Sequence, residues 1–284
     1  MNSQENYIGV VGSGTMGNGI AHVFAQSNHK VLLVDLSQSI LDNAMKTISS
    51  NLNRQVKKGL ITQSQMNHSI DNITTSTNID SLQNALIVIE AASEDEIVKT
   101  NIFKNLDTIC VPQTILATNT SSISITKIAN ATSRPDKVIG MHFMNPVPIM
   151  KLIEVIKGRD TSEKTLEAIL KISKKLNKIA LECNDSPGFI SNRILMPLIN
   201  EAAYCLMDQV ADKESIDGIM KLGMGHPMGP LTLADLIGID VCVSIMNVLK
   251  EGFNSKKYAP CPLLIDMVKS NKLGKKTKEG FYRY

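Results

Sequence analysis

The sequence predicts an α/β protein: a doubly wound, mostly parallel sheet with a protruding helical hairpin, followed by an all-α C-terminal domain. Three observations lead there. Apolar, strand-like runs alternate with helical segments through about Asn184. A glycine-rich turn joins the first of those strands to the first helix. After Asp185 the strand signal stops and only helical periodicity continues. The expected domains are therefore residues 1–184 and 185–284.

The first strand, residues 8–11, runs into Gly12-x-Gly14-x-x-Gly17, with Thr15 and Met16 opening the helix that follows. Gly12 permits a tight turn out of the strand. Gly14 lets the backbone approach a pyrophosphate, which the helix N-terminus receives through its unpaired N–H groups and dipole. Gly17 lets the helix pack closely on the strand. Asp35 ends the second apolar run, where a carboxylate accepts hydrogen bonds from adenosine ribose hydroxyls and repels a 2′-phosphate. Strand, glycines, helix and acid stand in the order of a Rossmann-like site, with NAD as the expected cofactor.

Between the second strand and Leu86, a helical stretch from about residue 38 to 70 is longer than a simple crossover needs. It reads as two helices protruding from the sheet. Further strands are expected at 86–91, 115–118, 138–142 and 150–155, with another near 179–182. Asp185-Ser186-Pro187 reads as a helix start, with a capping side chain and proline in the first turn. Helices are expected near 188–208, 213–221, 231–250 and 263–270. The third of these is apolar almost all the way round and needs cover on every side, which a domain of about 100 residues hardly supplies. That points to a homodimer through the C-terminal domain, against the plainer reading of a tightly packed monomeric core.

Composition bounds the function classes. The chain has 284 residues, 43% hydrophobic and 20% charged, with a net charge of +3. That charge is too small to argue for nucleic acid, and the lysine-rich stretches 171–178 and 269–278 read as solvated surface. No apolar run approaches the ~20 residues that span a bilayer. Only a few residues precede the first expected strand, so the expected location is cytoplasmic. Cys110, Cys183, Cys205, Cys242 and Cys261 show no CxxC spacing and no neighbouring histidine pattern, so no metal site is expected.

The segment Gly140-Met-His142-Phe-Met-Asn145-Pro146-Val-Pro148-Ile-Met-Lys-Leu-Ile-Glu154 carries the catalytic reading. His142 falls at the C-terminal end of a predicted strand, the edge where open α/β sheets place their ligands. Asn-Pro-Val-Pro cannot continue a central strand, so the chain turns there and returns through 151–155. A turn centred near Val147–Pro148 sets His142 opposite Glu154. A carboxylate on one ring nitrogen fixes the tautomer and stabilises the imidazolium, and the other nitrogen exchanges a proton with substrate. Taken alone, the histidine could equally be a satisfied polar residue near a loop. His22, His29, His68 and His226 lack such a setting and read as structural or exposed.

At these residues the chain resembles the L-3-hydroxyacyl-CoA dehydrogenase family, and most of all its short bacterial 3-hydroxybutyryl-CoA branch. The resemblance runs nearly end to end: GSGTMGNGIA, VIEAASED, NTSSISI, HFMNPVPIMKLIEVI, DSPGFISNRIL, MGHPMGPLTLADLIGID and GKKTKEGFYRY. It implies an NAD-binding domain, a helical domain that dimerises, and an acyl-CoA substrate in a cleft between them. It implies His142 as general acid/base with Glu154 as its partner. Ser121 would hydrogen-bond the substrate's 3-oxygen or hold the reacting groups in place, and Asn192 would reach the same site from the second domain. Glu94, Lys99 and Asn145 match positions near the cofactor's ribose and nicotinamide. Where the family often has Phe, this chain has Met144, an apolar exchange. Asn51, Arg54 and Lys58 fall on one face of the protruding helix, where cations could meet CoA phosphates. A solvated face serves Arg54 equally well, and Asn51 stands where some relatives have serine.

Two other readings stay open at this stage. A related dehydrogenase of a non-CoA hydroxy acid, such as gulonate, shares the fold and much of the site. A non-catalytic structural protein is the other, against which the presence of His142, Glu154, Ser121 and Asn192 argues.

Overall fold

Short runs rich in Ile, Val and Leu form an eight-stranded sheet, and the amphipathic segments between them form the helices that cover it. The computed structural model describes residues 7–284, and the chain divides into two units, one ending at Asp185 and one spanning Ser186–Tyr284. In chain order the first unit contains β1 (Tyr7–Val11), α1 (Thr15–Gln26), β2 (Lys30–Val34), α2 (Gln38–Lys57), α3 (Gln63–Asp71), β3 (Ile73–Ser76) and β4 (Ile87–Glu90). It continues through α4 (Glu96–Ile109), β5 (Ile115–Thr118), α5 (Ile125–Ala129), β6 (Val138–Phe143), β7 (Leu152–Lys157), α6 (Glu163–Lys175) and β8 (Ile179–Asn184).

The sheet order is β3-β2-β1-β4-β5-β6-β7-β8. Pairs are parallel except β6 with β7. Helices on both faces leave central strands no solvent side, which is why β4 and β6 are buried at every position. Ile8, Val10, Phe24, Leu33 and Ile89 lie at its core. Strand β1 has β2 on one side and β4 on the other, so the order reverses there and a crevice opens at the C-terminal edge. Val11, Val34, Glu90, Thr118 and Phe143 all end their strands on that edge.

The long helical stretch after β2 is two helices. In α2, Leu41, Ala44, Ile48 and Leu52 repeat at helical spacing and are its buried residues. In α3 a capping box closes the N-terminus: Thr62 accepts from the Gln65 N–H, and the Gln65 side chain accepts from the Thr62 N–H at 2.8 Å. Such a box stabilises by about 1 kcal/mol.

Three sequence expectations need correction. Strand β3 was not expected, because Ile-Thr-Thr-Ser offers no apolar alternation; it is four residues long at the sheet edge and pairs only with β2. The helix expected over 231–250 is two, α9 (Pro230–Ile237) and α10 (Ile239–Gly252), bent by 97°. Gly238 makes the break at φ +106, a conformation that residues with a side chain rarely adopt. Each half buries one face, so neither needs cover all round. Finally, Asp185-Ser186-Pro187 does not start a helix. Gly188 (φ +69) and Phe189 (φ +52) turn the chain first, and α7 (Ser191–Met207) begins later. Asp185 caps another helix instead: its Oδ2 accepts from Ser124 Oγ at 2.6 Å and from the Thr126 N–H at 2.8 Å, at the start of α5.

The second unit adds α8 (Lys213–Gly223) and α11 (Pro262–Lys269) around a core that includes Met196, Ile199, Leu231, Met246, Leu249 and Phe281. Two buried carboxylates fasten it. Asp217 accepts from the Leu231 and Thr232 N–H groups at the start of α9, and Asp235 from those of Phe281 and Tyr282 in the closing tail. No single helix among the described residues is long and apolar enough to cross a membrane.

Candidate active site

Strand β1 ends at Val11, and Gly12 turns the chain at φ +92, donating its N–H to Val34 O at 2.8 Å. A Cβ on Gly12 would lie 2.7 Å from Ala91 O, and one on Gly17 would lie 1.8 Å from Gly12 O. Both positions therefore exclude a side chain. Gly14 is the N-cap of α1, with no side-chain cap, and a Cβ there would meet nothing within 4 Å. The open first turn of α1 thus presents N–H groups suited to an anion.

A cleft of about 890 Å³ lies along this turn, with Thr15, Met16 and Asp35 among its lining. Apolar walls are given by Leu36, Ile40, Val98 and Ile102. Asp35 is anchored there: Oδ2 accepts from Ser13 N at 2.6 Å and Ser13 Oγ at 2.8 Å, and Oδ1 from Leu36 N at 2.7 Å. A close-approach turn, an open helix terminus, a fixed carboxylate and apolar walls fit a dinucleotide.

Next along the edge, Glu94 gathers the loop after β5. Its Oε1 lies within hydrogen-bond distance of Thr120 Oγ1 (2.6 Å), the Ser121 and Ser122 N–H groups (2.8 and 3.1 Å) and both serine hydroxyls. Burial by itself would raise the Glu94 carboxyl, but the Lys99 ammonium and these hydrogen bonds together hold it below the ordinary carboxylate value. Lys99 points inward, 1% exposed, and pairs with Glu90 at 2.7 Å and with Glu94 at 3.5 Å.

Strands β6 and β7 set His142 opposite Glu154 in register. His142 Nδ1 and Glu154 Oε2 are 2.9 Å apart, and both side chains are buried. Asn119 Oδ1 accepts from the Phe143 N–H at 2.9 Å, tying β6 to the end of β5. The intervening turn is held by Lys178, whose ammonium donates to Val147 O and Met150 O. Asn145 is exposed in that turn.

The first unit thus brings Gly12, Gly14, Thr15, Met16, Gly17, Asp35, Glu94, Lys99, Ser121, His142, Asn145 and Glu154 to one edge of its sheet or the loops leaving it. Asn51, Arg54 and Lys58 lie at the far end of α2, Asn51 half-buried and the two cations exposed. Asn192 belongs to the first turn of α7 in the second unit and is buried. Sequence reasoning missed Ser13, Glu90, Thr118, Thr120 and Ser122. Glu90 carried a usable signal: like Asp35, it is an acid at the end of an apolar run.

Two family models match the chain: the NAD-binding domain of 3-hydroxyacyl-CoA dehydrogenase over residues 7–186, and the C-terminal domain of the same family over 188–284. The chain is 50% identical over 277 residues to the 3-hydroxybutyryl-CoA dehydrogenase of Clostridioides difficile, covering 98% of this chain and 99% of the relative. It is 43% identical to the human mitochondrial hydroxyacyl-coenzyme A dehydrogenase, covering 98% of this chain and 91% of the relative. The crystal structure of the (S)-3-hydroxybutyryl-CoA dehydrogenase of Ralstonia eutropha superposes with a TM-score of 0.96 at 46% identity, covering 99% of both chains. The chain belongs to the 3-hydroxyacyl-CoA dehydrogenase family.

Proposed function

We propose that the chain is an NAD-dependent dehydrogenase interconverting the 3-hydroxy and 3-keto forms of a short acyl-CoA, 3-hydroxybutyryl-CoA and acetoacetyl-CoA. The observation that carries this reading is the buried His142–Glu154 pair, on the same sheet edge as the glycine turn and Asp35. When bound, NAD supplies the hydride acceptor in one direction and the hydride donor in the other. The Gly12–Gly17 turn, Thr15 and Met16 hold its pyrophosphate, Asp35 one ribose, and Glu94, Lys99 and Asn145 the nicotinamide half.

The proton is the protein's share of the chemistry. In oxidation His142 takes the proton of the 3-hydroxyl, and in reduction it returns a proton to the 3-oxygen. Glu154, on the opposite ring nitrogen, stabilises the imidazolium formed between those events. Ser121 hydrogen-bonds the 3-oxygen and keeps it in line with His142. Asn192, in the second unit, also contacts the substrate. Asn51, Arg54 and Lys58 face the CoA phosphates. The assembly is a homodimer through the second unit. A cytoplasmic setting suits cysteines such as Cys110 and Cys242, which are buried as small hydrophobes.

Loss of NADH absorbance with acetoacetyl-CoA, run beside NADPH and free acetoacetate, tests the reading. Fast NADH oxidation with the thioester alone is the expected result. Turnover with the free acid and none with the thioester would assign the chain to a hydroxy-acid dehydrogenase instead. In that assay His142→Gln should lower turnover by roughly 10²–10⁴-fold with NADH binding little changed, the range for a lost acid/base group. Near-normal turnover would remove His142 from the mechanism.

A further inference from the structure

The deepest charge in the first unit takes no part in the chemistry above. Glu90 ends β4 and is fully buried. Its Oε1 accepts from Lys99 Nζ at 2.7 Å and from the Ala92 N–H at 2.7 Å, and its Oε2 accepts from Thr118 Oγ1 at 2.7 Å. Three donors on three different segments therefore converge on one carboxylate: the loop after β4, helix α4 and the end of β5. Thr118 Oγ1 in turn accepts from the Thr120 N–H at 3.2 Å. Lys99 passes the charge on, standing 3.5 Å from Glu94 Oε2, and the other Glu94 oxygen gathers Thr120, Ser121 and Ser122. A buried ion pair is costly to form and strongly destabilised when one member is lost, so its presence directly under a loop of small polar residues calls for a reason.

We infer that Glu90 is a positioning residue: through Lys99 and Glu94 on one side and Thr118 on the other, it sets the loop that carries Ser121. The inference rests on the proposed function in that Ser121 and Glu94 border the reacting end of the NAD site. The chemistry of the three donors explains why a carboxylate stands here. An amide of the same shape has one accepting oxygen in place of two, so Glu90→Gln must abandon one donor. It also removes the charge that fixes Lys99. The ammonium then has Glu94 as its nearest carboxylate, moves toward it, and draws Glu94 away from the Ser121 and Ser122 N–H groups.

Amide hydrogen exchange on the apo protein reads this directly. Glu90→Gln should raise exchange at residues 120–123 by roughly tenfold or more, while residues 15–23 of α1 stay protected. In the coupled assay, run where circular dichroism shows the variant folded, kcat should fall roughly 10–100-fold, as for a small misplacement of a reacting group. The inhibition constant for ADP, a probe of the glycine-turn half of the cleft alone, should stay within about twofold. Should the single variant fail to fold, Glu90→Gln with Lys99→Met removes the buried pair together and should still loosen 120–123, because Thr118 loses its carboxylate acceptor and Glu94 loses the ammonium that holds it. Unchanged exchange at 120–123 overturns the inference. So does exchange that rises throughout the first unit with kcat within about threefold of wild type, which marks a role in stability only. A wild-type protein inert toward acetoacetyl-CoA would sink the proposed function instead, and the exchange result would still decide the place of Glu90 in the loop.

Discussion

Asp35 shows how a single residue can be both read from sequence and completed only by structure. Its position after β2 is encoded locally, by an apolar run that ends in an acid. Its anchorage by the Ser13 backbone N–H and hydroxyl at 2.6 and 2.8 Å is not, because Ser13 lies in the turn after the neighbouring strand. If Asp35 binds the ribose as proposed, a 2′-phosphate there would meet a carboxylate held by three hydrogen bonds. Asp35→Asn should therefore narrow the preference for NADH over NADPH by about tenfold to a hundredfold, since one like-charge repulsion at close range is worth roughly 1–3 kcal/mol. The ratio of kcat/KM for the two cofactors measures it, and an unchanged ratio would assign the discrimination elsewhere. The same division separates His142 from Glu90. The turn that pairs His142 with Glu154 is a dozen residues of contiguous chain, so its register is legible. Glu90 takes its meaning from Thr118 and Lys99, on a neighbouring strand and a helix, which no local pattern brings together.

Elements were legible where amphipathic spacing was strong and hidden where it was weak. The buried row Leu41, Ala44, Ile48 and Leu52 announces α2, whereas β3 is a polar edge strand that borrows its order from β2. The break at Gly238 is hidden because apolar residues continue on both sides of it. Where α1 faces the hairpin, a titration follows from packing. His22 is 1% exposed, and Gln55 Nε2 lies 3.2 Å from its Nε2. Among the described residues its Nδ1 has no hydrogen-bond partner. Burial lowers its pKa from 6.5 to about 4. Above pH 6.5 the ring is neutral whether the chain is folded or unfolded. As pH falls through 6.5 the unfolded ring binds a proton and the folded one does not, so stability declines until the folded ring also protonates near pH 4. The full loss is roughly 3 kcal/mol. Urea denaturation of wild type and His22→Gln between pH 7 and 4.5 should show wild type losing stability more steeply, by roughly 2 kcal/mol. Parallel pH dependence in the two proteins would mean that His22 does not titrate in this way.

At the scale of the whole molecule, the case for a dimer moves from one helix to another. The sequence argument rested on an apolar cylinder over 231–249, but the bend at Gly238 gives each half a single buried face and dissolves that argument. What replaces it is the outer side of α8. Ile216 is buried there, whereas Ile219 and Leu222, one turn apart, are 61% and 90% exposed, and Met224 after them is 64% exposed. Leu236 and Val241, flanking the bend, are exposed as well. Single exposed apolar residues are ordinary, but two of them one turn apart on α8, with Met224 just past its end, are the kind of surface a partner covers. An α-helical domain of this size has helix faces long enough to contribute to the roughly 800 Å² per partner of a stable interface. Sedimentation should therefore give twice the chain mass of 31.0 kDa, about 62 kDa. Leu222→Glu combined with Met224→Glu should shift the protein to about 31 kDa, because each burial would then carry an unpaired charge. NADH affinity should persist in that monomer, since the cleft lies wholly within the first unit. A 31 kDa wild type would end the dimer proposal, and a double variant that still sediments at twice that mass would move the interface off α8.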